Sequence, residues 1–181
     1  MRLAVRNLIL GIIFFASAAI VQSQTPTATG MGSYHPYEIA GTYAHMLTDG
    51  SYGLGMALNG WTASASAGVL SRLQATGEFG SYSARGVSLK SFLGGPQVRF
   101  HIYRFEPFVR GLFGISHTAV NSHGVGSSFT IATGGGLNFP ITDQLSIRAL
   151  QVDYYRPYGG YYRAADFLRV GFGVSYQFGT R

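Results

Sequence analysis

The segment Phe167–Phe178, FLRVGFGVSYQF, decides how this chain folds. From Leu168 onward every second residue (Leu168, Val170, Phe172, Val174, Tyr176, Phe178) is apolar, while Arg169, Gly171, Gly173, Ser175 and Gln177 stand between them. A period of two is the signature of a β-strand with unlike faces. Two environments suit such a strand. Its apolar face can pack on a soluble core, or it can meet lipid while the other face lines a polar barrel interior.

The alternation recurs upstream between turn residues, predicting strands at about 37–46, 58–70, 73–83, 90–102, 105–117, 127–139 and 145–155. With 167–178 there are eight, and no helical stretch intervenes. The connections at Ser71-Arg72, Tyr103-Arg104 and Pro140 to Gln144 are tight, whereas 48–57, 82–89, 117–126 and 156–166 read as long loops rich in Gly, Ser, Asn and Tyr. Strict alternation of tight and long connections is expected of a transmembrane barrel, and a sandwich has no reason for it.

One parity is the more apolar in each strand. It carries Trp61, Ala63, Ala65, Ala67 and Val69; Phe92, Val98, Phe100 and Ile102; Val109, Phe113 and Ile115; and Phe129, Ile131, Leu137 and Phe139. The opposite parity is small or polar, and the chain has a single lysine, Lys90. A water-facing surface would carry many Lys and Glu, so the polar parity fits a narrow eight-stranded interior filled by its own side chains. In the seventh strand, Leu145, Ile147 and Ala149 share one parity, and Val152 and Tyr154 the other. A bulge near Leu150 or Gln151 would put both sets outside. On these facings Glu38, Glu78, Arg99, Arg110, Arg148 and Arg169 point inward. A lone buried charge is prohibitively costly, so Glu38 and Glu78 are expected to bridge the arginines in a structural network rather than a conducting path. Aromatics near the strand ends (Tyr37, Tyr43, Trp61, Tyr103, Phe105, Phe139, Tyr154, Tyr155 and Phe178) are expected to form two interfacial girdles.

The N-terminus carries Arg2 and Arg6 before an uncharged apolar run from Leu8 to Val21. This run is short for a membrane-spanning helix and reads as a secretory signal peptide over 1–23, with cleavage after Val21-Gln22-Ser23 or, alternatively, after Ala16-Ser17-Ala18. A segment at 24–35, the barrel at 36–178 and a tail at 179–181 complete the expected organisation. The absence of cysteine removes disulfide-scaffold and lipoprotein readings. Without Arg2 and Arg6 there remain eleven basic and seven acidic residues, scattered without a run, so nucleic acid is not an expected partner.

The closing residues Phe172, Val174, Tyr176 and Phe178 resemble the C-terminal insertion signal of bacterial outer-membrane barrels, with the departure that Gly179, Thr180 and Arg181 follow the final aromatic. Asn59-Gly60-Trp61, Gly94-Gly95-Pro96, Pro107-Phe108 with Gly111 to Gly114, Gly134-Gly135-Gly136 and Arg148 to Tyr154 extend the likeness over residues 35–178. These stretches resemble the small OmpA/OmpX-like outer-membrane β-barrel domain proteins. The resemblance implies an all-β, eight-stranded antiparallel up-and-down transmembrane barrel in the bacterial outer membrane. Its partners would be outer-membrane lipid, the barrel-insertion machinery and a surface ligand engaged through the loops.

Chemistry has few handles in this sequence. His45, His101, His117 and His123, with Ser116, Ser122 and Asp153, are the candidates for a lipid-modifying site, but no carboxylate stands near His117 in sequence. His117 and His123 lack a third metal ligand. Gly134-Gly135-Gly136 opens no helix, so close strand packing explains it better than a phosphate cradle. The expectation is a monomeric, non-enzymatic barrel with a structural or adhesin-like role, without cofactor or metal. Two alternatives remain open: an outer-membrane lipid-modifying enzyme and a soluble periplasmic ligand-binding barrel.

Overall fold

The computed structural model describes residues 36–48, 57–84, 86–120, 123–159 and 166–179. The signal peptide and the 24–35 segment lie outside them, as do Ser122 and the side chain of His123. The described chain is eight strands: β1 (Tyr37–Thr48), β2 (Ala57–Gly68), β3 (Leu73–Ala84), β4 (Val87–Arg99), β5 (Glu106–Val120), β6 (His123–Pro140), β7 (Leu145–Tyr158) and β8 (Phe167–Phe178). Each pairs antiparallel with its neighbours in sequence, and β1 pairs with β8 from Tyr37↔Phe178 to Thr48↔Phe167, so the sheet closes into an up-and-down barrel. Closure leaves no sheet edge along the wall, which a strand structure surrounded by hydrocarbon requires.

Three tight connections gather at one end. Val69 and Leu70 donate backbone bonds to Leu73 O, Ile102 and Phe105 bond each other reciprocally, and Ile141 and Thr142 donate to Leu145 O. Tyr103 takes the left-handed φ of 54° that its turn demands. Here β2 and β4 stop at Gly68 and Arg99, short of the expected 70 and 102.

At the opposite end, two of the expected long loops are instead strand. β3 and β4 pair as far as Ala84↔Val87, and β5 and β6 as far as Val120↔His123, leaving two-residue connections. The outward apolar parity of the strands ends in the stretches 82–89 and 117–126, where Ser83 and His117 face out while Tyr82, Val87, Leu89 and Thr118 point into the barrel. Their backbone groups still satisfy one another across the hairpin. The asymmetry between the ends is therefore carried partly by projecting hairpins rather than by loop length.

The outward face carries Phe92, Phe113, Ile115, Phe129, Phe172 and Val174, each more than half exposed. Only lipid makes that arrangement favourable. The bulge in β7 falls at Ala149 and Leu150, both exposed, where the pairing with β8 jumps from Arg148↔Gly173 to Gln151↔Gly171. Ile147 and Leu150 consequently both reach the outside, while Arg148, Gln151, Asp153 and Tyr155 point in. Tyr155 thus leaves the expected girdle. Neighbouring residues of a regular strand cannot share a face, and Tyr154 takes the outer one.

Candidate functional site

The interior is layered along the barrel axis. Toward the loop end it is apolar, with Met46, Leu58, Leu89, Leu93, Leu112 and Phe167 packed in one cluster around Tyr82 and Tyr155. Toward the turn end it is charged. Glu38, Glu78, Glu106, Asp153, Arg99, Arg110, Arg148 and Arg169 are all buried, four of each sign. Equal numbers are what a low-dielectric interior can hold, since each charge then has a compensating partner.

Four of the eight close a ring. Arg110 donates from Nε to Asp153 Oδ1 at 3.0 Å and from Nη2 to Oδ2 at 2.9 Å, while its Nη1 lies 2.8 Å from Glu78 Oε2. Arg169 donates from Nε to Asp153 Oδ2 at 3.0 Å and from Nη1 to Glu78 Oε1 at 2.6 Å and Tyr82 OH at 2.7 Å. Two carboxylates therefore alternate with two guanidiniums.

A second group lies nearer the turns. Glu38 accepts from Arg148 Nη2 at 2.8 Å and from Arg99. Arg148 donates from Nε to Asn138 Oδ1 at 3.0 Å, and its guanidinium carbon stands 4.5 Å over the Phe108 ring centroid. Gln151 joins the groups, accepting from Arg148 Nη1 at 3.1 Å and donating from Nε2 to Asp153 Oδ2 at 2.9 Å. Glu106 closes the turn end, accepting from Gln177 Nε2 at 3.0 Å and lying 4.0 Å from Arg99 Nη1.

Glycine makes the ring reachable. Arg110, Gly134 and Asp153 are consecutive cross-strand partners on β5, β6 and β7. Gly134 presents no side chain to the interior, so Arg110 spans β6 to reach Asp153. A Cβ on Gly134 would stand 2.6 Å from Asp153 Oδ1. One on Gly136 would stand 2.7 Å from the Phe108 ring that carries Arg148.

All six interior residues named from the sequence face inward and meet opposite charge. The network also takes in Asp153, which the sequence offered only as a partner for chemistry, and Glu106, which it did not single out. For Asp153 the signal was present: the bulge that puts Val152 and Tyr154 outside necessarily turns Asp153 in. Glu106 opens β5 beside a turn, where parity is hard to assign.

The candidates for chemistry do not converge. Ser116 is buried and bonded to Thr130 at 2.6 Å, whereas His117 faces out with Nδ1 3.3 Å from Ser127 Oγ. His45 lies 2.5 Å from Asn59 Oδ1 near the loop end, and His101 stands 3.3 Å from Glu106 Oε1 at the turn end. Asp153 is held between two arginines. Phe172, Val174, Tyr176 and Phe178 line the outer wall together, with the Phe178 ring stacked on Tyr37 at 5.6 Å.

No protein-family model and no curated protein matches this chain. Solved structures do. Neisserial surface protein A is similar at a TM-score of 0.61 with 15% identity, over 79% of this chain and 97% of that one. The N-terminal β-barrel domain of Pseudomonas aeruginosa OprF gives a TM-score of 0.51 at 15% identity, over 78% and 97%. Ail, the attachment invasion locus protein of Yersinia pestis, gives 0.50 at 16% identity, over 82% and 100%. By fold, this chain is a small eight-stranded transmembrane β-barrel of the kind found in bacterial outer membranes.

Proposed function

We propose that this protein is exported through its N-terminal signal peptide and resides in the outer membrane as a monomer, where it serves a structural or surface-interaction, adhesin-like role. The observation that carries the reading is the contrast between walls. The outside is apolar over the strand centres, and the inside is closed by a network of four acidic and four basic residues beneath an apolar plug. A bore filled in this way leaves no continuous water file, so the barrel does not conduct. Its contacts with other molecules are then made by the outer wall, with lipid, and by the loop end, with a surface ligand. Phe172, Val174, Tyr176 and Phe178 are the residues the insertion machinery reads. One of the similar structures, Ail, is by name an attachment protein, which supports the loop-end part of the reading.

Among the described residues, His117 and Ser127 form a base–hydroxyl pair on the lipid face, the one feature there that favours an enzyme. The described carboxylates are all committed elsewhere: four lie inside, Asp143 sits in a turn, and Asp166 lies 3.5 Å from Arg156. A histidine without an orienting acid is a poor general base for acyl transfer, so the non-enzymatic reading is preferred.

Planar-bilayer recording on the purified, refolded protein tests the central claim. A membrane resistance unchanged after insertion is expected, with insertion confirmed by recovery of protein from the bilayer fraction. Discrete conductance steps would overturn the closed interior.

A further inference from the structure

Lys90 is the chain's only lysine, and it faces outward on β4, one outward position beyond the exposed Phe92 toward the loop end. A cation on the lipid face of a barrel costs about 2–4 kcal/mol at the bilayer midplane and about 0–1 near the interfaces, so Lys90 marks the headgroup level. Its neighbours suit that place. Ser81 on β3 and His117 on β5 are its direct cross-strand partners, and Ser127 on β6 is the partner of His117. The four residues form one lateral row of donors on the wall, and no described carboxylate shares it.

Below this row stand Phe79, Phe92, Ile115 and Phe129, and beside Phe79, on β1 to β3, the wall is hollow. Gly41, Ala63, Ala65 and Gly77 have too little side chain to fill the surface between Ile39 and Phe79, leaving an apolar groove of about 700 Å³ that reaches Phe92. Phe79 and Phe92 lie directly under Ser81 and Lys90, ring to ring at 5.7 Å. A cation with hydroxyl and imidazole neighbours above an apolar groove matches an amphiphile with an anionic head and a hydrocarbon tail.

We propose that this wall is a specific site for a lipid bearing a phosphate monoester, its headgroup held by Lys90, His117 and Ser81 and an acyl chain lying in the groove beside Phe79. The site rests on the membrane reading above, which supplies the lipid. Charge complementarity selects the occupant. A zwitterionic headgroup has no net charge for Lys90 to attract, whereas one basic residue near an anionic headgroup is worth about a five-fold preference.

Trp61 is the only tryptophan and stands beside the groove, its ring 5.5 Å from Phe79, so its fluorescence reports occupancy. The protein is refolded into phosphatidylcholine vesicles containing graded amounts of brominated-chain phosphatidylcholine or brominated-chain phosphatidic acid. The expected result is quenching by both lipids, with about a five-fold preference for phosphatidic acid. The preference should fall to near parity in Lys90→Gln, survive in Lys90→Arg, and diminish in the wild type at high salt. Gly77→Leu should weaken quenching by both lipids. Equal quenching by the two lipids in the wild type would overturn the site while leaving the membrane reading intact. A preference that persists in Lys90→Gln and at high salt would also overturn it. No quenching by brominated phosphatidylcholine would overturn the membrane reading itself.

Discussion

Arg110 and Asp153 meet through two parallel hydrogen bonds, of 3.0 and 2.9 Å, across a strand that does not contribute a side chain between them. Their strands, β5 and β7, are not neighbours, and Gly134 of β6 is the gap through which the guanidinium reaches. Asp153 also accepts from Arg169 and Gln151, so one carboxylate compensates two buried cations. Removing it leaves Arg110 and Arg169 with Glu78 alone between them. Asp153→Ala is therefore expected to lower stability by about 3–5 kcal/mol, read as an earlier midpoint in urea unfolding from detergent or vesicles. Asp143→Ala, in an exposed turn, should stay within about 0.5 kcal/mol of the wild type.

Gly134 gives a sharper test because it carries no charge. Substitution by Val would drive a branched side chain into Asp153 and break the geometry of the ring without altering its composition. A loss of about 1–3 kcal/mol is expected. Gly111, where a Cβ would find nothing within 4 Å and the backbone is not left-handed, should tolerate Val far better. Equal effects at the two glycines would argue against the ring as a determinant of stability.

The apolar plug makes its own prediction. Tyr155 is fully buried and meets the Phe167 ring edge-on at 6.2 Å. Truncation to Ala should cost about 3–5 kcal/mol, the usual penalty for deleting a buried aromatic ring. Tyr158, three residues on but outward and about half exposed, should cost much less in the same unfolding assay.

Facing can be tested by charge. Val174 lies on the outer wall and Ser175 inside. Val174→Arg places a guanidinium in the lipid and should cost about 2–4 kcal/mol in vesicles if the position is near the midplane. In detergent micelles, whose surface yields to a charged side chain, the penalty should shrink. An unchanged vesicle stability would contradict the lipid-facing assignment.

The terminal aromatic separates assembly from stability. Phe178 stacks on Tyr37 and remains 39% exposed. Phe178→Ala should lose no more than about 1.5 kcal/mol, the scale of one aromatic pair, in the refolded barrel. In cells, the fraction reaching the heat-modifiable folded form in a pulse-chase experiment should fall severalfold. Loss of stability without loss of assembly would remove its role as a signal.

Most of the architecture is legible along the chain because a period of two and the need to sort faces act locally. Each strand in FLRVGFGVSYQF style announces which side is greasy, and the parity break in β7 announces its own bulge. The inward orientation of Glu38, Glu78, Arg99, Arg110, Arg148 and Arg169 follows from the same rule. What parity cannot express is distance across the bore. That Arg110 pairs with Asp153 over Gly134, that Arg148 rests on Phe108, and that Glu38 reaches both Arg99 and Arg148 depend on which strands oppose one another once the sheet closes. Closure also decided where the hairpins end. Beyond the lipid belt the outward side chains are no longer apolar, and the pairing of backbone groups between neighbouring strands, with Ala84 and Val120 packed against the interior cluster, carries β3 to Ala84 and β5 to Val120. The sequence thus determined the faces of the wall, through local sterics and hydrophobicity. The tertiary structure alone decided which charges neutralise which, because ion pairing acts through space between residues as far apart in the chain as Glu38 and Arg148.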